Sequence, residues 1–170
     1  FWSKGGHAGL GVGSGAIVVG QERIETDQRH VPVLPDAVST HASVQPGEVW
    51  VDCTVGFGGH SASLLAGGAQ LFAIDQDQEA LDASAERFEN LRSQVTFLKG
   101  NFRDIGRLLD DIGVERVDGI LADIGVSSYQ LDQSTRGFSF RKSGPVDMRM
   151  DVDSQETAEQ LIHRLSLGEL

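Results

Sequence analysis

The sequence predicts an α/β domain built as a doubly wound parallel sheet, and three observations carry that expectation. Apolar runs at 49–55, 69–75, 94–100 and 117–125 alternate with stretches of helical apolar spacing, the arrangement that right-handed crossovers turn into a parallel sheet. A glycine-rich turn, "GFGG", follows the first of these runs directly. An acid, Asp75, closes the second.

Taken in order, residues 1–29 are glycine-rich and end in the polar run "GQERIETDQR", which predicts a loose extension. Within it "GLGVGSGA" has glycines spaced like a dinucleotide fingerprint. No strand precedes it and "IVVG" after it suits a strand, so it reads as a decoy. From His30, "LPDAVSTHASV" predicts a short helix and "VWVDCTV" a buried strand. "SASLLAG" is a helix closed by Gly67 and Gly68, and "AQLFAID" a second strand. Leu81, Ala85, Phe88 and Leu91 lie at helical spacing before the third strand, "QVTFLKG". "FRDIGRLLDDIG" is a further helix and "VDGILADIG" the fourth strand. A long polar loop is expected from Val126 to Asp153, and loops of that length in a domain are commonly functional. Thr157 and Gln160 make a capping-box signature for a helix with Leu161, Ile162 and Leu165 on its apolar face. Ser166 and Glu169 repeat the signature just before Leu170, so the expectation is a piece of a longer reading frame.

Bulk properties narrow the function classes. The 170 residues suit one domain with a core, and 39% apolar with 23% charged residues is ordinary for a soluble protein. No stretch is apolar enough to span a membrane and the start is unlike a signal peptide, so a cytoplasmic protein without a membrane partner is expected. The single cysteine, Cys53, reads as a small buried residue; no metal site is expected. Fourteen basic against 25 acidic residues give a net charge of −11, which disfavours a polyanionic partner unless a local patch reverses the sign.

The chemistry concentrates at the strand ends. In doubly wound folds a ligand sits there, and the first strand-to-helix turn needs glycines so that backbone can approach it. Asp75 follows Gly56 by nineteen residues, near the spacing of about 20 at which an acid accepts hydrogen bonds from ribose hydroxyls. Together they point to an adenosine-containing cofactor, either NAD or S-adenosylmethionine. Asp52, before the glycines, can hold the cationic amino group of a methionine moiety through a water or backbone contact. After the fourth strand Asp123, Ser127, Ser128 and Gln130 offer acceptors and donors without a histidine or lysine base, which suits an exocyclic amine nucleophile. The same residues read equally well as caps and turn formers. In "STRGFSFRKSGPVDMRMD", Arg136, Arg141, Lys142 and Arg149 alternate with Phe138 and Phe140, a mixture of phosphate-binding cations and stacking rings used for single-stranded RNA. Phenylalanines pinning a loop to the core between solvated arginines would give the same composition. A non-catalytic RNA-binding or assembly module and an NAD-dependent oxidoreductase stand as the alternative functions.

Six ordered blocks, "HVPVLPDAV", "VDCTVGFGGHS", "AIDQD", "GNFRDI", "VDGILADIGVSSYQLD" and "RGFSFRKSGPVDMRMD", closely resemble the bacterial small-subunit (16S) ribosomal RNA cytosine-N4 methyltransferases, the RsmH or MraW family. The resemblance covers His30 to about Glu169. It implies a class I S-adenosylmethionine-dependent methyltransferase, Rossmann-like over 30–153, with a helical insertion starting in 154–170. It further implies methylation of the exocyclic N4 of a cytidine, with ribosomal RNA or the 30S subunit as partner. Carried over by motif, the cofactor contacts fall on Gly58, Gly59, His60, Asp75, Phe102, Asp123 and Gln130. The candidate catalytic oxygens, those of Asp123, Ser127 and Ser128, come from their place after the fourth strand, and which carboxylate, serine or backbone oxygen orients the amine stays open. Ile124 and Val146 stand where the family usually has leucine. Tyr129 replaces a usual proline, which frees the backbone and adds a ring beside the acceptor site. The resemblance implies about seven strands against the four read here, leaving the fourth as an exposed edge. Weak cofactor binding and poor catalysis by these 170 residues alone are therefore expected.

Overall fold

A strand that is apolar on both faces must be covered on both, and the molecule achieves this with helices on either side of a parallel sheet. The computed structural model describes residues 32–170, together with the backbone of 16–19 and 22–25. The strands β1 (Ala16–Val19) and β2 (Glu22–Glu25) pair antiparallel, with Ala16 opposite Glu25. This corrects the expectation of a loose extension at those positions. β-Branched "AIVV" favours extended backbone, and the polar "ERIE" that pairs with it gave no strand signal of its own. The glycine pattern "GLGVGSG" lies outside the described residues.

The main sheet contains β3 (Val49–Asp52), β4 (Gln70–Asp75), β5 (Val95–Lys99) and β6 (Gly119–Leu121), the four strands expected from the sequence. All are parallel, in the order β5-β4-β3-β6. Between them lie α1 (Pro35–Ala42) before β3, α2 (Gly59–Ala66), α3 (Gln78–Arg87) and α4 (Ile105–Asp110). Alternation along β3 sends Trp50 to one face and Val51 to the other. On the first face Trp50, Leu64, Leu65, Leu71 and Phe88 form the larger core under α2 and α3. On the second, Val51, Cys53 and Ile74 pack with Leu109 of α4.

Two expectations shift in detail. In α3 the buried residues are Ala80, Leu81 and Ser84, continued by Phe88 at its C-cap, with Ser84 where Ala85 was expected. Its hydroxyl donates to the Gly56 carbonyl at 2.6 Å, so a helix polar group is buried because a turn needs it. The stretch 126–153 is not one long loop. It contains α5 (Ser128–Asp132), capped by Ser127 and Gln130, and a 3-10 turn at Ser134–Arg136. The last helix, α6 (Ala158–Arg164), has the predicted Thr157 cap, and its first amides donate to the Asp147 and Val146 carbonyls. Its Leu161 and Ile162 remain exposed, as does Ile120 on β6, the outermost strand among the described residues.

Candidate active site

Because the strands are parallel, their carboxyl ends meet along one margin of the sheet, and a cleft of about 620 Å³ opens there. The turn after β3 contributes Gly56, Phe57, Gly59 and His60, and β4 contributes Asp75. Phe102, in the 3-10 turn after β5, forms another wall. Asp123, Ser127, Ser128 and Gln130 enter from the segment after β6. Ten residues separated in sequence are thus brought to one cavity by the sheet's polarity.

Gly58 is different. Its φ of 74° caps α2, and a Cβ there would approach the Phe88 ring to 2.6 Å. Of the three turn residues expected at the cofactor, Gly59 and His60 border the cleft, while Gly58 lets the turn settle on the core. Asp75 braces the same turn. One carboxylate oxygen accepts the Gly56 N–H at 2.9 Å and the other the Asp77 N–H at 2.9 Å. Burial raises its pKa against the lowering effect of those bonds. A carboxylate oxygen has two lone pairs, so each can accept one further bond from a ligand hydroxyl in the cleft.

Asp52 lies below the cleft surface, with its carboxylate engaged within the chain. Only 1% exposed, it accepts the Ser61 hydroxyl at 2.7 Å and the Thr54 N–H at 3.1 Å, fixing the start of α2 from below the cleft. Burial pushes its carboxyl up to about 6. Thr54 in turn accepts the Asp123 N–H on its hydroxyl at 2.8 Å, and His60 Nε2 lies 3.6 Å from the Asp123 carboxylate. The turn after β3 and the segment after β6 are therefore joined across the cleft.

Asp77, which the sequence reading passed over, joins more elements than any residue named in it. Its Oδ1 accepts the Glu79 N–H as the cap of α3. Its Oδ2 accepts Gln130 Nε2 at 2.8 Å and an Arg136 guanidinium N–H at 2.8 Å. An aspartate immediately before a helical apolar pattern is a recognisable cap signal, but its long-range partners have no local signature. Gln130 uses its other end to accept the Ser127 N–H at 3.0 Å. Both ends of this predicted cofactor residue are thus engaged within the protein, and one amide N–H remains for a ligand.

Residues 27–170 match the model of the MraW methylase family. The chain belongs to that family. A ribosomal RNA small subunit methyltransferase H from Pelobacter propionicus is 47% identical over 146 residues, covering 84% of this chain and 47% of that protein. Proteins of the same name from Sorangium cellulosum and Finegoldia magna are 48% and 40% identical, each across 84% of this chain and 46% of the relative. The chain spans about half the length of these curated relatives.

In this MraW-family chain the basic loop divides into two kinds of residue. Arg136 is buried and paired with Asp77 and Glu79, both at 2.8 Å, and it also donates to the Arg149 and Met150 carbonyls. Burial opposes its charge, but these partners outweigh burial and raise its pKa. Arg149 forms a two-pronged pair with Asp147 and donates to the Val152 and Ser154 carbonyls. Both were candidates for phosphate contact, and both hold carboxylates and carbonyls within the chain, with Arg136 Nε left buried and unpaired. Phe138 is half-buried. Phe140, Arg141 and Lys142 are exposed. Tyr129, in the first turn of α5 where either tyrosine or proline is admissible, packs its ring on Phe57 with centroids 5.1 Å apart.

Two measurements check this arrangement. Asp52 titrates higher in the fold than its ordinary 3.8, so its contribution to stability is complete below about pH 4 and lost as pH rises through about 6. The difference in unfolding free energy between wild type and Asp52→Asn should therefore fall by roughly 3 kcal/mol across that interval in urea titrations. A flat difference would contradict the buried carboxyl. Replacing Arg136 by Met strands the Asp77 charge and should cost about 3–5 kcal/mol, whereas Arg141→Ala should stay within about 0.5 kcal/mol. Equal losses in the two variants would remove the structural assignment of Arg136.

Proposed function

We propose that this chain forms the cofactor-binding part of an enzyme that methylates the N4 amine of a cytidine in small-subunit ribosomal RNA, using S-adenosylmethionine. The sign of charge in the cleft carries this reading. Asp75 and Asp123 border it and Asp52 lies beneath, close enough that each of the other two raises the Asp52 pKa. Among the described residues no lysine or arginine borders the cleft. Such a field favours a ligand with cationic groups and opposes a pyrophosphate, which separates S-adenosylmethionine from NAD. The names of the relatives, ribosomal RNA small subunit methyltransferase H, supply the substrate class.

The residues fit the cofactor by chemistry. Asp75 would accept its ribose hydroxyls, Phe102 would form an apolar wall for adenine, and the turn through Gly59 and His60 would enclose the methionine portion. When bound, S-adenosylmethionine supplies an electrophilic methyl group. Asp123, with nearly half its side chain exposed, and the hydroxyls of Ser127 and Ser128 border the same cavity from the acceptor side. Their oxygens would accept N–H bonds from an exocyclic amine, returning lone-pair density to nitrogen and fixing its approach. No strong base is needed, because the proton leaves after nitrogen has gained its substituent. The proposed division is a Rossmann-like unit over 30–153 with the start of a helical insertion at 154–170, and the proposed place of action is the cytoplasm, on ribosomal RNA or the 30S subunit.

Calorimetric titration of S-adenosylmethionine into the protein tests the reading. Saturable binding is expected, undisturbed by NAD and about 10- to 100-fold weaker in Asp75→Ala, which loses hydrogen bonds to a charged group. Thermal unfolding of the variant would separate loss of the site from loss of the fold. Displacement by NAD, or full affinity in a folded Asp75→Ala, would overturn it.

A further inference from the structure

A second groove, of about 530 Å³, adjoins the cleft and shares Ser128 with it. Leu131 and Asp132 of α5 form one side, and Ser139 to Lys142 the other. We propose that this groove seats a nucleotide adjacent to the one being methylated, with its base stacked on Phe140 and its phosphate held by Arg141. The proposal rests on the RNA-methyltransferase reading above and assigns its substrate a second point of contact.

The Phe140 ring is 95% exposed, and the loop around it is built to keep it so. At the neck of the loop Gly137 has φ 74°, and a Cβ there would collide with the Pro145 carbonyl and the Asp147 amide. A Cβ on Gly144 would collide with the Ser134 carbonyl. The two sides of the neck therefore meet backbone to backbone, an approach open only to glycine. Arg136, immediately before the neck, is anchored on Asp77 and Glu79. Lys142 donates to the Asp132 carbonyl at 2.6 Å, tying the far flank to α5. The Arg141 amide donates to Ser139 Oγ at 3.2 Å, which tightens the tip.

These restraints hold a large apolar ring in water on a groove that shares Ser128 with the cleft. A single exposed phenylalanine on an unbraced loop would require no explanation. A braced one, beside a groove and a cation, has the composition of a base-stacking site. Among the described residues no hydrogen-bond or ion-pair partner holds the Arg141 guanidinium, in contrast to Arg136 and Arg149. The chain's net charge of −11 opposes RNA in general, so its approach is confined to where such a cation stands free. Because Ser128 lines both chambers, the proposed strand would place one base at Asp123 and the adjacent nucleotide in the groove, on either side of that residue.

The test measures three affinities in wild type, Phe140→Ala, Phe140→Trp and Arg141→Ala: a short single-stranded RNA by fluorescence anisotropy, the same RNA at rising salt, and S-adenosylmethionine by calorimetry. Phe140→Ala should weaken the RNA about 5- to 100-fold, the range of one lost base–aromatic stack, and Phe140→Trp should preserve it. Arg141→Ala should lower the salt slope by about 0.7, as for one phosphate contact on a single strand. Cofactor affinity should be unchanged throughout, since neither side chain borders the first cleft. If wild type binds the RNA and Phe140→Ala binds it equally well, the groove belongs to another class of partner and this proposal falls while the methyltransferase reading stands. If wild type binds S-adenosylmethionine but no RNA, both fall.

Discussion

The site depends on one buried ion pair, Asp77 with Arg136, whose side chains are 4% and 8% exposed. Placing two charges in a low-dielectric interior is costly unless they meet partners, and here every polar atom of the pair does so except Arg136 Nε, which is buried without one. Asp77 accepts from the α3 backbone, Gln130 and Arg136, while its own amide donates to Asp75. Arg136 answers with Glu79 and two backbone carbonyls. The pair therefore fixes the position of the segment after β6, which has no long helix or strand of its own to hold it. It does so together with the Asp123–Thr54 hydrogen bond, the Tyr129–Phe57 ring contact and the Gln130–Asp77 hydrogen bond, which set Ser127, Ser128 and Gln130 against the turn that Asp75 braces.

The turn after β3 solves a complementary problem. It borders the cleft on one side and lies on the core on the other. Gly58 meets the second demand against Phe88, and Gly59 and His60 are left to meet the first. The carboxyl of Asp52 sits below, holding Ser61 in the first turn of α2. Its burial costs free energy once it is ionised, and the sites of Asp75 and Asp123 add to that cost. The proposed S-adenosylmethionine reading places a ligand with cationic groups beside these carboxylates, the sign of charge that they favour.

Much of this molecule was legible in the sequence alone. The four parallel strands, the helices between them, the glycine turn and the placement of Asp75 follow from patterns within a dozen residues of chain: apolar runs, helical spacing and capping residues. Such signals are local because the backbone must satisfy its hydrogen bonds within or next to each element. Family membership was legible for the same reason, as ordered short blocks.

Tertiary structure decided which polar groups face inward. Arg136 and Arg149 have the composition of an RNA-binding loop, yet both are paired within the chain, and Arg136 meets a carboxylate 59 residues away. Asp52 follows an apolar run like a strand-end acid at a cleft, and the fold buries its carboxylate below the cleft surface on Ser61 and Thr54. Pairing at such separations has no local pattern, because it depends on how crossovers return the chain to the sheet margin. The sequence determined the elements and the kind of chemistry they carry. Only the fold determined which charges remain free to perform it.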